Sequence, residues 1–164
     1  MADPAGSSAY TDVNTLLEAH ARRHPDKVFV ESPDQRARIT FGEFETLTRR
    51  LANFLASADV KHGDRVSILS ENSIEALVVF WGALRAGVIV NPVNVEIRAQ
   101  HVTHILEAVA PKLVFWSGAL PVSPEARWIR LDELHERLGG ASDAAIGARP
   151  ARTDWSLIDR KSVV

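Results

Sequence analysis

The stretch from Gly63 to Asn94, GDRVSILSENSIEALVVFWGALRAGVIVNPVN, holds two strand-length apolar runs on either side of one helix-length run. Arg65-Val66-Ser67-Ile68-Leu69, entered from the turn formers Gly63 and Asp64, is predicted to be a strand. Asn72 and Glu75 have capping-box spacing in front of Ile74, Leu77, Val78, Phe80, Trp81 and Leu84. The helix so predicted is apolar around nearly its whole circumference, so protein is expected to cover both of its sides. Gly87 follows as a C′ residue, and Val88-Ile89-Val90 is expected to be a short buried strand stopped by Asn91-Pro92. Strand, helix and strand in this order form a crossover unit. Right-handed crossovers of that kind build a parallel sheet with helices on both faces.

The alternation continues on both flanks. Upstream, Val13, Leu16, Leu17 and Ala21 recur at helical spacing behind Asp12 as N-cap, with Arg22, Arg23 and His24 at the negative end of the dipole before Pro25. Lys27 to Ser32 and Ala37 to Thr40 are predicted to form a hairpin about Pro33-Asp34-Gln35. Thr40 and Glu43 fit a capping box, and Phe44, Leu47, Leu51, Leu55 and Ala58 make one apolar stripe on a helix ending near Asp59. Downstream, a helix from Arg98 to Val109 turns Val102, Ile105, Leu106 and Val109 inward and is closed by Pro111. Lys112 to Trp116 and Trp128 to Leu131 read as strands, followed by a helical turn from Asp132 to Leu138 and a Gly/Ala loop from Gly139 to Pro150. The fold class is α/β, a parallel Rossmann-like sheet layered between helices.

Composition narrows the function. The 164 residues carry 19 Lys plus Arg against 21 Asp plus Glu, a formal net charge of -2, which leaves no electrostatic footprint for nucleic acid. With 46% hydrophobic and 24% charged residues the chain suits one soluble domain. No Cys is present, which excludes disulfides, thiolate metal sites and a cysteine nucleophile. The longest uncharged apolar run, Ala76 to Leu84, is far short of the roughly 20 residues of a membrane span. MADPAGSSAY at the start lacks the basic-then-apolar order of a signal peptide, so the expected location is the cytoplasm. Residues 1–10 are expected to be a disordered tail.

Open α/β sheets bind ligands beyond the carboxyl ends of their strands, here the loops after Leu69, Val90 and Trp116. Those loops are poor in chemistry. Gly82 and Gly87 have phosphate-loop spacing, but Val88 and Ile89 stand where Lys and Ser/Thr would meet the phosphates and metal, so both glycines are read as packing or capping residues. Neither G-x-G-x-x-G nor G-x-S-x-G occurs. His101, His104 and Glu107 step by three along one helix and fan across a wide arc, so they are read as a polar flank rather than metal ligands. Asp132, Glu133 and Glu136 are read as a solvated face, and Trp81, Trp116 and Trp128 as packing residues. No residue of this chain is assigned as catalytic, cofactor-binding or metal-binding.

Four segments nonetheless resemble, in order, those of the adenylate-forming enzymes, the AMP-dependent synthetases and ligases that include acyl-CoA synthetases. ITFGEFETLTRRLANFL (Ile39 to Leu55) is similar to their early helix, and GDRVSILSENSIE (Gly63 to Glu75) to their strand-turn-helix. WGALRAGVIVNPVN (Trp81 to Asn94) has Ala86, Gly87 and Pro92 in the family's register, and HVTHILEAVAPKLVF (His101 to Phe115) is similar to the stretch that follows. The resemblance implies the incomplete N-terminal part of the large domain over residues 11–158, and a reaction in which a carboxylate and ATP give an acyl-adenylate that is passed to coenzyme A. It implies ATP, Mg²⁺ and CoA for the full-length enzyme and a small-molecule carboxylate as substrate, with none of the cofactors expected to bind this chain tightly.

Thr153 to Ile158 resembles the strand that leads into the family's phosphate loop, with Trp155 as a lead-in residue. Asp159 to Val164 departs from the glycine-rich turn that belongs there, so residues 159–164 are expected to be a non-native tail. The chain alone is expected to be inactive and to self-associate through exposed apolar surface. Two alternatives stay open: a non-catalytic α/β binding or partner module derived from the family, and a nucleotide-binding α/β protein of another family, against which the missing glycine signatures count.

Overall fold

Capping decides where the first helices begin. Asp12 accepts from the amides of Asn14 and Thr15 and starts α1, Val13–Arg23. Thr40 and Glu43 exchange the two bonds of a full capping box at the head of α2, Phe41–Ser57, the longest helix. Between them lies the antiparallel hairpin of β1 (Val28–Ser32) and β2 (Ala37–Thr40). These statements, like all that follow, concern residues 12–118, 126–147, 150–151, 153–154 and 156–158, which the computed structural model describes. The tails expected at 1–10 and 159–164, and Trp155, lie outside them.

The sheet contains β3 (Arg65–Leu69), β4 (Ile89–Val93), β5 (Leu113–Trp116) and β6 (Trp128–Arg130) in the order β4-β3-β5-β6, all parallel. The helices α3 (Ile74–Arg85) and α4 (Ala99–Val109) make the crossovers β3-α3-β4 and β4-α4-β5, and a 3₁₀ turn at Leu131–Glu133 leads into α5, Leu134–Gly139. Side-chain alternation sorts the core. Val66, Ile68, Leu113 and Phe115 face α2 and α3, whereas Leu69, Val93 and Val114 face α4 through Val102 and Leu106. The sheet is thus covered on both faces, as the alternating pattern predicts.

The main core is set by α2 against α3. Phe44, Leu51 and Leu55 have no exposed surface, and burial of each such side chain contributes about 1.5–3 kcal/mol. Gly82 lets the two helices approach: a Cβ there would lie 2.5 Å from Leu51 Cδ2 and 2.9 Å from the Thr48 carbonyl oxygen. Every residue of α3 is at least half-buried, in agreement with its apolar circumference. Among the described residues the exposed large hydrophobic side chains are Leu16, Val28 and Leu157, each on a different segment.

Two details differ from the sequence reading. The cap of α3 is Ser73, whose Oγ accepts from the Ala76 amide at 3.0 Å, because Ser73 rather than Asn72 immediately precedes the first helical residue and has the extended backbone a cap requires. Strand β4 does not stop at Asn91-Pro92 but runs through to Val93, with Pro92 opposite Ile68. Val90 turns both backbone groups outward to residues 156–158, and Pro92, two residues on, shares that side. Its missing donor therefore falls on the outer edge rather than in the β3 ladder, the placement a sheet tolerates.

Candidate site at the carboxyl ends of the strands

The loops that leave β3 and β5 meet at two serines. The Ser117 hydroxyl donates to Ser70 Oγ at 2.9 Å, the Ser117 amide donates to the Leu69 carbonyl at 3.1 Å, and the Ser70 hydroxyl donates to the Glu71 carbonyl at 2.6 Å. At the head of α3 the hairpin turn takes over a role that solvent or an anion would otherwise fill. Gln35 Oε1 accepts from the Ile74 amide at 2.8 Å, and Gln35 Nε2 donates to Glu75 Oε2 at 2.7 Å. With Ser73 on Ala76, first-turn amides of α3 already have partners from within the chain.

Hairpin, β3–α3 loop and the end of β4 enclose a groove of about 430 Å³. Its floor is apolar, formed by Ile68, Leu77, Phe80 and Pro92. Its charged lining residues are Glu31, Asp34 and Glu71, and among the described residues no Lys, Arg or His lines it.

A second feature lies at the outer edge of β4. The Val90 amide donates to the Ser156 carbonyl at 3.0 Å and the Ile158 amide donates to the Val90 carbonyl at 2.9 Å, so Leu157 pairs in parallel with Val90. Buried Asn91 secures this segment: its Nδ2 donates to the Ile158 carbonyl at 2.9 Å, while its Oδ1 accepts from the Ser67 hydroxyl at 3.1 Å. Upstream, Asp154 Oδ2 lies 2.9 Å from His62 Nε2 and accepts from the Ala151 amide at 2.7 Å. The Ala151 amide first, and His62 second, hold the Asp154 carboxyl below the ordinary carboxylate range. Gly87, with φ of 69°, leaves room for the His62 ring, whose Cδ2 would lie 2.1 Å from a Cβ at that position.

The residues singled out in the sequence do not converge on this site. His101, His104 and Glu107 are all exposed on the outer side of α4, opposite Val102, Leu106 and Val109, and among the described residues no three His, Asp or Glu side chains gather as a metal site. Glu133 pairs with Arg137 at 2.8 Å, Asp132 with Arg130, and Glu136 is exposed. Trp81 packs edge-on to Phe44 and Phe80 in the main core. Trp116 and Trp128 pack edge-on to each other on the α4 side, with the Arg130 guanidinium 5.0 Å from the Trp116 ring centre. Sequence reasoning missed Asn91, His62 and Asp154, whose partners are distant in the chain, and treated Asn91 only as a strand stop.

Comparison with known proteins follows the same outline. The family of AMP-binding enzymes matches residues 17–160. Long-chain-fatty-acid–CoA ligase FadD13 of Mycobacterium tuberculosis is 29% identical over 143 residues, which cover 80% of this chain and 28% of that protein. Phosphinothricin tripeptide synthetase PhsC of Streptomyces viridochromogenes is 31% identical over 105 residues, 64% of this chain and 10% of that one. The solved fatty acyl CoA synthetase of Mycobacterium tuberculosis superposes with a TM-score of 0.80 at 26% identity, covering 92% of this chain and 32% of that chain. This chain spans less than a third of the length of each of these relatives. Among the described residues no helix is long and apolar enough to cross a membrane. The fold, its order of elements and the match over residues 17–160 together show that this chain belongs to the AMP-binding, adenylate-forming enzyme family.

Proposed function

We propose that this chain is the N-terminal scaffold of a cytoplasmic, ATP-dependent carboxylate-activating ligase of the acyl-CoA synthetase type, and that alone it makes no adenylate. The complete reaction converts carboxylate and ATP to acyl-adenylate and pyrophosphate, with acyl transfer to the thiol of CoA and release of AMP. Long-chain fatty acids head the candidate substrates because the relative FadD13 is named for them.

The reading rests on the docking of Ser156 to Ile158 along β4, inside the span that matches the family. That pairing carries the backbone to the carboxyl edge of the sheet, where the resemblance puts the phosphate loop. The described residues themselves do not fit a triphosphate with Mg²⁺. First-turn amides of α3 are occupied by Gln35 and Ser73, and the adjoining groove offers carboxylates, which repel phosphate.

ATP–pyrophosphate exchange with a panel of fatty, aryl and amino acids tests the proposal. The expected result is no exchange above the enzyme-free rate with any acid. Carboxylate-dependent exchange by this chain alone refutes it.

A further inference from the structure

We propose that the groove between the hairpin and α3 binds a small organic monocation with a compact apolar body, an aralkyl- or alkylammonium. Its volume of about 430 Å³ lies within the range of about 300–1,000 Å³ usual for small-molecule pockets. Ile68, Leu77, Phe80 and Pro92 supply an apolar floor. Phe80 also brings an aromatic ring, whose face attracts a cation.

The rim gives the sign of the charge. Glu31, Asp34 and Glu71 are exposed, and among the described residues none of them takes part in an ion pair. Arg38 stands opposite Glu31 in the hairpin register without pairing with it. The next carboxylate, Glu75, is already engaged by Gln35 and lies 3.6 Å from His135 Nε2. Gln35 ties the hairpin turn to the first turn of α3, so the elements that bear the rim are fixed relative to the floor. A carboxylate of equal size meets like charge here.

The test uses 2-phenylethylammonium and its charge-reversed counterpart 3-phenylpropanoate, each titrated into the isotopically labelled chain and followed by amide chemical shifts. The ammonium is expected to give saturable shifts confined to the groove's amides, residues 30–32, 34, 68, 70–77, 80 and 93, and the carboxylate none. The surface variant Glu31→Gln/Asp34→Asn/Glu71→Gln is expected to weaken ammonium binding about tenfold, as does high salt. Phe80→Leu, which keeps an apolar floor without the ring, is expected to weaken it by a few fold. Equal binding of the two probes, shifts centred elsewhere, or unchanged affinity in the triple variant overturns the proposal.

Discussion

Replacing Arg85 tests whether α1, α2 and α3 are held in register by a buried charge. Arg85 is fully buried near the end of α3. Its Nε donates to Asn14 Oδ1 at 2.9 Å, Nη1 to the Glu45 carbonyl and Thr48 Oγ1 at 3.1 Å each, and Nη2 to Glu45 Oε1 at 3.2 Å, with Glu18 Oε1 at 3.6 Å. Burial pulls its pKa down, and Glu45 followed by Glu18 opposes that pull, so the partners offset the cost of burying the charge.

Arg85→Met leaves the buried Glu45 carboxylate with Arg49 alone, at 3.2 Å, and strips Asn14 and Thr48 of a donor. Glu45→Leu leaves the guanidinium buried with only Glu18 as a charged partner. Breaking a buried pair from one side costs about 3–5 kcal/mol. For a chain of this size that lowers the melting temperature by about 6–20 °C. The double variant Arg85→Met/Glu45→Leu removes both charges, so it is expected to be more stable than either single variant. Urea unfolding of the four proteins gives the coupling directly. Additive losses, or single losses below about 1 kcal/mol, refute the role given to this cluster.

Three further outcomes are expected. Gly82→Ala forces a Cβ onto Leu51 and the Thr48 carbonyl, and is expected to cost about 1–3 kcal/mol in urea unfolding; a neutral substitution contradicts the close approach. Asn91→Ala removes the Nδ2 donor to Ile158, and is expected to speed hydrogen exchange of the Ile158 amide while the β3–β5 amides stay protected; uniform protection contradicts the clamp. The Asp154 carboxyl is held below the ordinary range, so its contribution is complete above the unfolded value of about 3.9 and is lost as pH falls through the lowered folded value. Exchange of the Ile158 amide, corrected for its intrinsic rate, should therefore rise only below about pH 4, and Asp154→Asn should abolish that step. A profile in the variant that matches the parent refutes the tether.

What could be read from the sequence was local. The Thr40–Glu43 box, the stripe on α2 and the crossover around Gly63 to Asn94 are set by neighbours three or four residues apart, or by an apolar run between turn formers. The Asn72–Glu75 spacing misled because Ser73, an equally good cap, stood one residue closer to the helix. Pro92 reads as a stop because its tolerance depends on which side of β4 faces the edge, a fact of sheet order rather than of sequence.

The site features were out of reach for the same reason. Gln35 meets Ile74 across 39 positions, Arg85 meets Asn14 across 71, and His62 meets Asp154 across 92. In sequence, Arg85 is an ordinary basic residue in the last turn of a helix, and only the arrival of Asn14 and Glu45 makes it a core residue. The acidic groove likewise forms only where the hairpin turn folds against the β3–α3 loop.

The proposed lack of any grip for triphosphate among the described residues is tested most directly by calorimetric titration of this chain with Mg-ATP. The predicted result is no saturable heat at micromolar nucleotide; a saturating isotherm with a micromolar Kd contradicts it.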